Sequence, residues 1–442
     1  MQADERRDFL VVPSNQMKGG SGVNLDILIV LLTMLAVANY RFRRSVLYPP
    51  FLFCGMWLFD VLFYRFDLID INQLHSITLF VIAGGALLFS LGGIFAYCVP
   101  GRFVKAHFTL GGEPRSTGNS LRYLIVFSIA ICVCLSIRAS IISAAGAGGI
   151  DGVFFMVARE VAIEKMNAGQ QAITWYSYVG TWTIFVSALF LSERNDWLSW
   201  TATAMAFISC ATSGARGGFL LLFSALTCVY LVRTRREGFA TAVRFAKWPV
   251  LSFVFLFASL FFVDKNIQVS DNNALAFAGN SVVEYIVGPA AALDHVLLHL
   301  HDYANSPNHT FQFFLRIGSS FGLVSYAPPP TNDRFIFIPF GTNVYTAYKF
   351  LVTDFGIGMA LVTVSVIGFF QCLLFRKAHT GSILGLYMYS ISVYSVIMVI
   401  FDDAYSRFGF FLDAFVFAVV YLSIRSFPWR IFRFKPVEEE AL

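Results

Sequence analysis

Charge is what this sequence has least of. Asp, Glu, Lys and Arg together make up 13% of its 442 residues, against about 25% in ordinary soluble domains. Hydrophobic residues make up 57%, and the mean hydropathy is +0.67. That balance excludes a soluble globular domain, which would have too little polar surface to meet water. Cysteine is scarce and odd in number: seven residues, all in or at the ends of apolar runs, where a free thiol behaves as a small buried hydrophobe. Cys132 and Cys134 stand two apart on an expected helix and point to different faces, so they do not form a metal or redox pair. No A-x-A-like cleavage site follows the first strong apolar run, Leu25 to Ala38; "NYRFRR" follows instead. The run reads as a retained helix, not a signal peptide. There is no H-E-x-x-H pattern and no Gly-rich nucleotide loop. The net charge of +5 belongs to basic loops and gives no reason to expect nucleic acid.

What is present is a series of apolar runs, each long enough to cross a bilayer, which takes about 20 helical residues. The chain is expected to be all-α, a polytopic integral membrane protein forming one unit over residues 1–442. Helices are expected near 24–40, 46–64, 75–98, 121–143, 172–192, 197–213, 217–232, 246–263, 350–375, 381–400 and 408–424, about eleven spans with ten to twelve as the range. Taken alternately, the connections divide the 32 Lys and Arg residues into a short-loop set holding 19 and a longer-loop set holding 13. The short set, with "RTRREG" and "FRKAH", is assigned to the cytoplasm by the positive-inside rule. The C-terminal tail is then inside and the N-terminus outside. The long connection 264–349, "GARGG" and "FDDAYSR" lie outside, so the conspicuous polar groups share one side of the membrane.

Arg216 is the sole charged residue between Trp197 and Val232. An arginine at bilayer depth is costly and needs protein or water to face. Gly214, Gly217 and Gly218 allow the run to fold into a hairpin, which would hold the guanidinium near the outer face, where its fork of donors suits phosphate oxygens. The alternative is an interfacial arginine that snorkels to headgroups. In the outer loop, Ser281 to His301 reads as an amphipathic helix broken near Gly288-Pro289, lying on the interface or re-entering the membrane. His295 and His299 share a helix face, with His301, Asp294 and Asp302 nearby. The spacing resembles a metal site but lacks a glutamate base, and contact with sugar hydroxyls or a plain wet surface are the other readings. "SPNHTFQFFLRIG" places His309 and Arg316 around a helix start that Ser306 or Asn308 can cap. "APPPTNDRFIFIPFGTNVYTAYKFLVTDFGIG" adds Arg334, then Asn343, Tyr345 and Thr346 leading into a helix with Asp354. Arg138, Arg159 and Arg407 complete the outer arginines. Asp402, Asp403 and Asp413 stand at the start of the last helix, and Asp403 and Arg407 are spaced to pair. Asp60 is an acid near the outer end of the second helix with no close partner in sequence. An outer face this rich in arginine suggests a polyanionic ligand.

Four stretches together resemble the Wzy-type oligosaccharide repeat-unit polymerases, the O-antigen polymerase family: "TSGARGG" at 212–218, "EYIVGP" at 284–289, "HTF" at 309–311 and "TNVYTAYKFLVTDFGIG" at 342–358. The layout around one large outer loop also fits. The resemblance covers most of the chain in layout and only these stretches in residues. It implies a membrane glycosyltransferase of the bacterial (Gram-negative) inner membrane with its active site facing the periplasm. The donor and acceptor would both be undecaprenyl-pyrophosphate-linked glycans, in a setting of membrane lipid, with a chain-length-determining co-polymerase as partner and no cofactor or metal. By that likeness Arg216, Arg334, Arg316, Asp402 and His309 are the catalytic candidates. Tyr285, Arg407, Asn343, Tyr345, Thr346 and Asp354 are the substrate-binding ones. Arginines would stabilise the departing pyrophosphate, and Asp402, Asp403, His309 and Asp354 all remain open as the base. Two rivals are an O-antigen ligase and a flippase or other transporter. Ligases show an H-N-x-x-L type motif where this chain has Asn308-His309-Thr310-Phe311. Transporters more often show internal repeats, and no such symmetry is found here.

Overall fold

The computed structural model describes residues 22–66, 68, 71–101, 116–146, 170–213, 216–241, 243–244, 274–303, 309–325, 336–338, 340–342 and 344–426. The described chain is almost entirely helical: α1 Gly22–Arg43, α2 Pro49–Arg65, α3 Ser76–Cys98, α4 Ser116–Gly146, α5 Gln170–Glu193, α6 Trp197–Ser213, α7 Arg216–Thr234, α8 Ala274–Leu298, α9 Gln312–Ser320, α10 Tyr348–Ala378, α11 Ile383–Ile397 and α12 Phe408–Ser426. Among the described residues, seven helices are long and apolar enough to cross a membrane. The expected span 246–263 lies outside the described residues; each of the others has its helix. The strands are a single two-residue rung, Ile336–Phe337 antiparallel to Gly341–Thr342, with Ile336 opposite Thr342.

Local chemistry sets several boundaries. α2 opens on Pro49 and Pro50, whose missing N–H groups cost nothing in a first turn. α11 opens after Gly381, at φ 81°, and the Ser382 hydroxyl caps it by accepting from Gly385 N at 3.1 Å. α6 follows a turn in which Asp196 accepts from Ser199 N at 3.1 Å. Arg122, near the start of α4, is 1% exposed and grips Asp196 with both guanidinium arms, at 2.6 and 2.8 Å. Burial works against ionisation of Asp196, but the bonds from Arg122 and Ser199 outweigh it and leave its pKa lowered.

α3 and α10 form the central pair. Gly92 abuts the Ser365 carbonyl and Gly368 abuts the Phe89 carbonyl, so that a Cβ at either place would overlap backbone. Small residues allow this approach, the usual device for close helix packing in membranes. One large apolar core joins α1, α2, α3, α8 and α10 around Trp57, Phe89 and Tyr348. A second joins α4, α5, α6, α11 and α12 around Phe185, Phe190 and Tyr387. α7 and α11 run between them.

One expectation changes: α8 continues through Gly288-Pro289 as one helix. Residues 287–294 are buried in the core, which removes the interfacial reading and leaves the re-entrant one. Proline here removes only one ladder bond, and burial of the surrounding Val287, Ala290, Ala292 and Leu293 compensates for it. α9 starts at Gln312 after Phe311 with no side-chain cap; Ser306 and Asn308 lie outside the described residues.

Candidate functional site

The apolar run of α11 ends in a short break. A 3-10 turn at Met398–Ile400 leads into Phe401, Asp402 and Asp403, and a second turn at Ala404–Ser406 leads through Arg407 into α12. Two adjacent carboxylates cannot continue an apolar helix without partners, and here each finds a different one. Asp402 Oδ2 accepts from the Arg407 guanidinium in an ion pair. Asp403 Oδ1 accepts from Ser406 N at 3.2 Å and caps the second turn. The expected Asp403–Arg407 pair is therefore replaced by Asp402–Arg407. The i, i+4 spacing presumed a helix, and the backbone here forms tighter turns.

Asp403 is buried, and its Oδ2 has no hydrogen-bond partner among the described residues. Burial first, then the charge of Asp402, push its pKa up to about 7, against the opposing bonds from Ser406 and the charge of Arg407. A carboxyl that titrates near neutrality beside a second carboxylate is a feature of sites that move protons.

Other elements meet this break. Tyr394, on the last turns of α11, lies near Arg407, Asp402 and Tyr285. Its hydroxyl would stand 3.1 Å from a Cβ at Gly217, so α7 begins directly against it. Arg216 is the first residue of α7; its side chain lies outside the described atoms. The apolar stretch 197–232 does divide at the glycine-bracketed arginine, and Phe207 on α6 packs on Phe219 of α7 at 5.4 Å between centroids. From α8, Tyr285 stacks on Phe401 with centroids 5.7 Å apart.

The 342–356 segment folds in beside the break. Ala347 N donates to the Val399 carbonyl at 2.9 Å. Tyr345 and Thr346 are 4% and 1% exposed, packed against the protein. The Tyr348 ring lies 5.4 Å from that of Trp57 and its hydroxyl packs on Gly85. Gly356, at φ 73° and ψ 166°, breaks α10 into a short first piece and a long second one, a conformation open to glycine and costly for other residues.

His309 and Asp354 form a neighbouring cluster. Asp354 Oδ2 accepts from Thr310 N and Thr310 Oγ1, both at 2.7 Å, and the His309 ring packs on Phe350 at 4.7 Å. Asp354 therefore pins the 309–311 turn through Oδ2, while its Oδ1 is buried with no hydrogen-bond partner among the described residues. Phe311 and Phe314 carry α9 onto Phe408, with centroids 6.4 and 5.1 Å away, and Arg316 is exposed on α9. Arg334, Asn343 and Arg159 lie outside the described residues, as does the side chain of Arg138. Asp413 is exposed on α12.

Among the expected residues, the fold brings Asp402, Arg407 and Tyr285 together with the start of α7, and sets Tyr345 and Thr346 directly behind them. Two features were missed. Lys349 is buried, with Nζ 3.4 Å from the Tyr345 ring centroid; its place inside "YTAYKFL" was the available signal. His75, on the turn before α3, bonds Asp294 through Nδ1 at 2.8 Å, while Asp294 Oδ1 accepts from His75 N at 2.8 Å and from Thr78 Oγ1 at 2.5 Å. That pairing joins residues 219 apart in the sequence and left no local trace. Asp60 is 0% exposed and neither carboxylate oxygen has a hydrogen-bond partner among the described residues. The histidine run forms a stack, His295 on His299 at 4.4 Å. Among the described residues no three His, Cys, Asp or Glu side chains are grouped to hold a metal ion.

Comparison with protein-family models, curated proteins and solved structures finds no match to this chain.

Proposed function

We propose that this protein is a glycosyltransferase of the Wzy type, which polymerises undecaprenyl-pyrophosphate-linked oligosaccharide repeat units. The growing glycan leaves its lipid carrier and is transferred to a fresh lipid-linked unit, at the periplasmic face of a Gram-negative inner membrane. The proposal includes the full set of eleven spans, the large 264–349 loop on the periplasmic side and a co-polymerase as partner. The observation that carries it is the meeting, at one end of an apolar bundle, of the Asp402–Arg407 pair, Tyr394, Tyr285 and the first turn of α7 that bears Arg216.

The chemistry follows from charge. The acceptor hydroxyl oxygen attacks the anomeric carbon of the donor. The bond from that carbon to the pyrophosphate oxygen breaks, and its electron pair leaves with the pyrophosphate. Negative charge grows on the leaving group, and preorganised donors there stabilise the transition state more than the ground state. Arg216, at the positive end of the α7 dipole, and Arg407 take this role. Arg407 is held by Asp402 until an anion competes for it. Pyrophosphate on Arg407 releases the Asp402 carboxylate, which accepts the proton of the acceptor hydroxyl. Tyr285 and Phe401 offer a stacked aromatic surface to a sugar ring.

Purified protein in lipid nanodiscs, supplied with lipid-linked repeat units alone, tests the reading. A ladder of longer lipid-linked glycans supports it. Transfer only to a lipid A core acceptor would assign a ligase, and translocation without bond formation would assign a transporter.

A further inference from the structure

At the other ends of α7, α10 and α11 the bundle opens into a cavity of about 670 Å³, within the range of small-molecule pockets. α7 alone separates it from the site above by about 28 Å, at 1.5 Å per residue. Arg43, Arg44, Arg233 and Arg235 line it, with Glu193 and Glu237 as the acids.

Both acids are already engaged. Glu193 pairs with Arg425 and accepts from the Tyr421 hydroxyl, each at 2.6 Å. Glu237 binds His379 at 2.6 Å and accepts from the Ser45 hydroxyl. Two of the arginines are occupied as well: Arg233 donates to the Leu191 carbonyl, and the Arg43 guanidinium lies 4.4 Å from the Tyr97 ring centroid. Arg44 and Arg235 are exposed and make no ion pair or side-chain hydrogen bond among the described residues. Among the described residues their charge has no direct partner.

Helix C-termini attract cations, which accounts for arginines at the ends of α1 and α7. Helix termination also accounts for the left-handed backbone of Arg44 and Arg235, at φ 52° and 54°, each the residue that closes its helix. It does not account for two further features. Ser192, on the cavity wall, is 5% exposed, and its hydroxyl has no hydrogen-bond partner among the described residues. Buried hydroxyls in native proteins are normally satisfied. Val232, Phe375 and Leu386 give the cavity an apolar side next to the arginines.

We infer that this cavity binds the phosphate of an anionic amphiphile, with Arg44 and Arg235 gripping the phosphate oxygens, Ser192 donating to the headgroup and the apolar side receiving the start of the acyl region. A membrane phospholipid with a net negative headgroup supplies this chemistry; free phosphate supplies the charge without the apolar part. The inference is independent of the activity proposed above.

The test is native mass spectrometry of delipidated protein in detergent, with dioleoyl phosphatidylglycerol, dioleoyl phosphatidylcholine and inorganic phosphate as separate probes. The wild type should retain phosphatidylglycerol at least tenfold more tightly than phosphatidylcholine. Arg44→Gln with Arg235→Gln should remove that preference, and Ser192→Ala, a small change with little risk to folding, should weaken it several-fold. Equal retention of both lipids by the wild type, or an unchanged preference in Ser192→Ala and in a monodisperse double variant, overturns the inference. Displacement of phosphatidylglycerol by millimolar inorganic phosphate, with phosphate alone protecting equally, overturns the lipid assignment and gives the cavity to a soluble phosphate.

Discussion

Lys349 holds its Nζ 3.4 Å from the centroid of the Tyr345 ring, and both side chains are buried. A buried ammonium is tolerated when something replaces its water, and an aromatic face does so for about 2 kcal/mol when desolvated. The pair also ties the segment that enters α10 to its first helical turn. A double-mutant cycle with Tyr345→Leu and Lys349→Met, read by thermal unfolding in detergent, should return a coupling of about 1–2 kcal/mol. Additive effects would mean that the ring is packing alone and the ammonium is satisfied elsewhere.

The α3–α10 contact makes a sharper structural prediction. Gly92→Ala and Gly368→Ala each place a methyl group against backbone carbonyl oxygen, and rigid backbone on both sides leaves little room to give. Each should cost about 2 kcal/mol or more, in the range of overpacked cores. Gly55, on α2, has nothing within 4 Å of its missing Cβ, so Gly55→Ala should be neutral or slightly stabilising. Similar melting temperatures for all three variants would contradict the packing.

Asp403 predicts a pH dependence. Its pKa is raised to about 7 from about 3.9 in an unfolded chain. The native state thus keeps a proton that the unfolded state releases, and stability falls as pH rises from about 4 to about 7. Asp403→Asn keeps the capping oxygen and removes the titration. It should be more stable than the wild type at pH 8, by on the order of 4 kcal/mol, with the gap closing toward pH 5. Parallel stability curves for the two proteins would show that Asp403 is ionised in the fold without cost.

Much of this architecture was legible from apolar run length, because a bilayer imposes one length on every span. The split of the 197–232 run at Arg216 was legible too, since glycine and a charge together interrupt an apolar helix. Pairings across the chain were not. Arg122 meets Asp196 only when α4 packs against α6, and His75 finds Asp294 only when α8 packs against α3. The Gly288-Pro289 break failed because burial of α8 outweighs one lost backbone bond. The Asp402–Arg407 pair escaped because its register depends on tight turns that local spacing does not encode. The burial of Tyr345 and Thr346 was not legible either, since the hydrogen bond from Ala347 to Val399 draws them into the interior.

The account rests most heavily on Arg216, and its most direct test is the chain-elongation rate of purified Arg216→Ala on lipid-linked repeat units. Arg216 opens α7 one residue before Gly217, which lies against Tyr394. Its planar fork would meet the pyrophosphate as charge develops. Loss of one strong donor to such charge costs on the order of 100-fold to 1000-fold in rate. The account predicts a loss of that size in Arg216→Ala and a smaller one in Arg216→Lys, which keeps the charge and loses the fork, with normal membrane expression and an unchanged melting temperature in both. Long glycan chains made at near wild-type rate by well-expressed Arg216→Ala would contradict it.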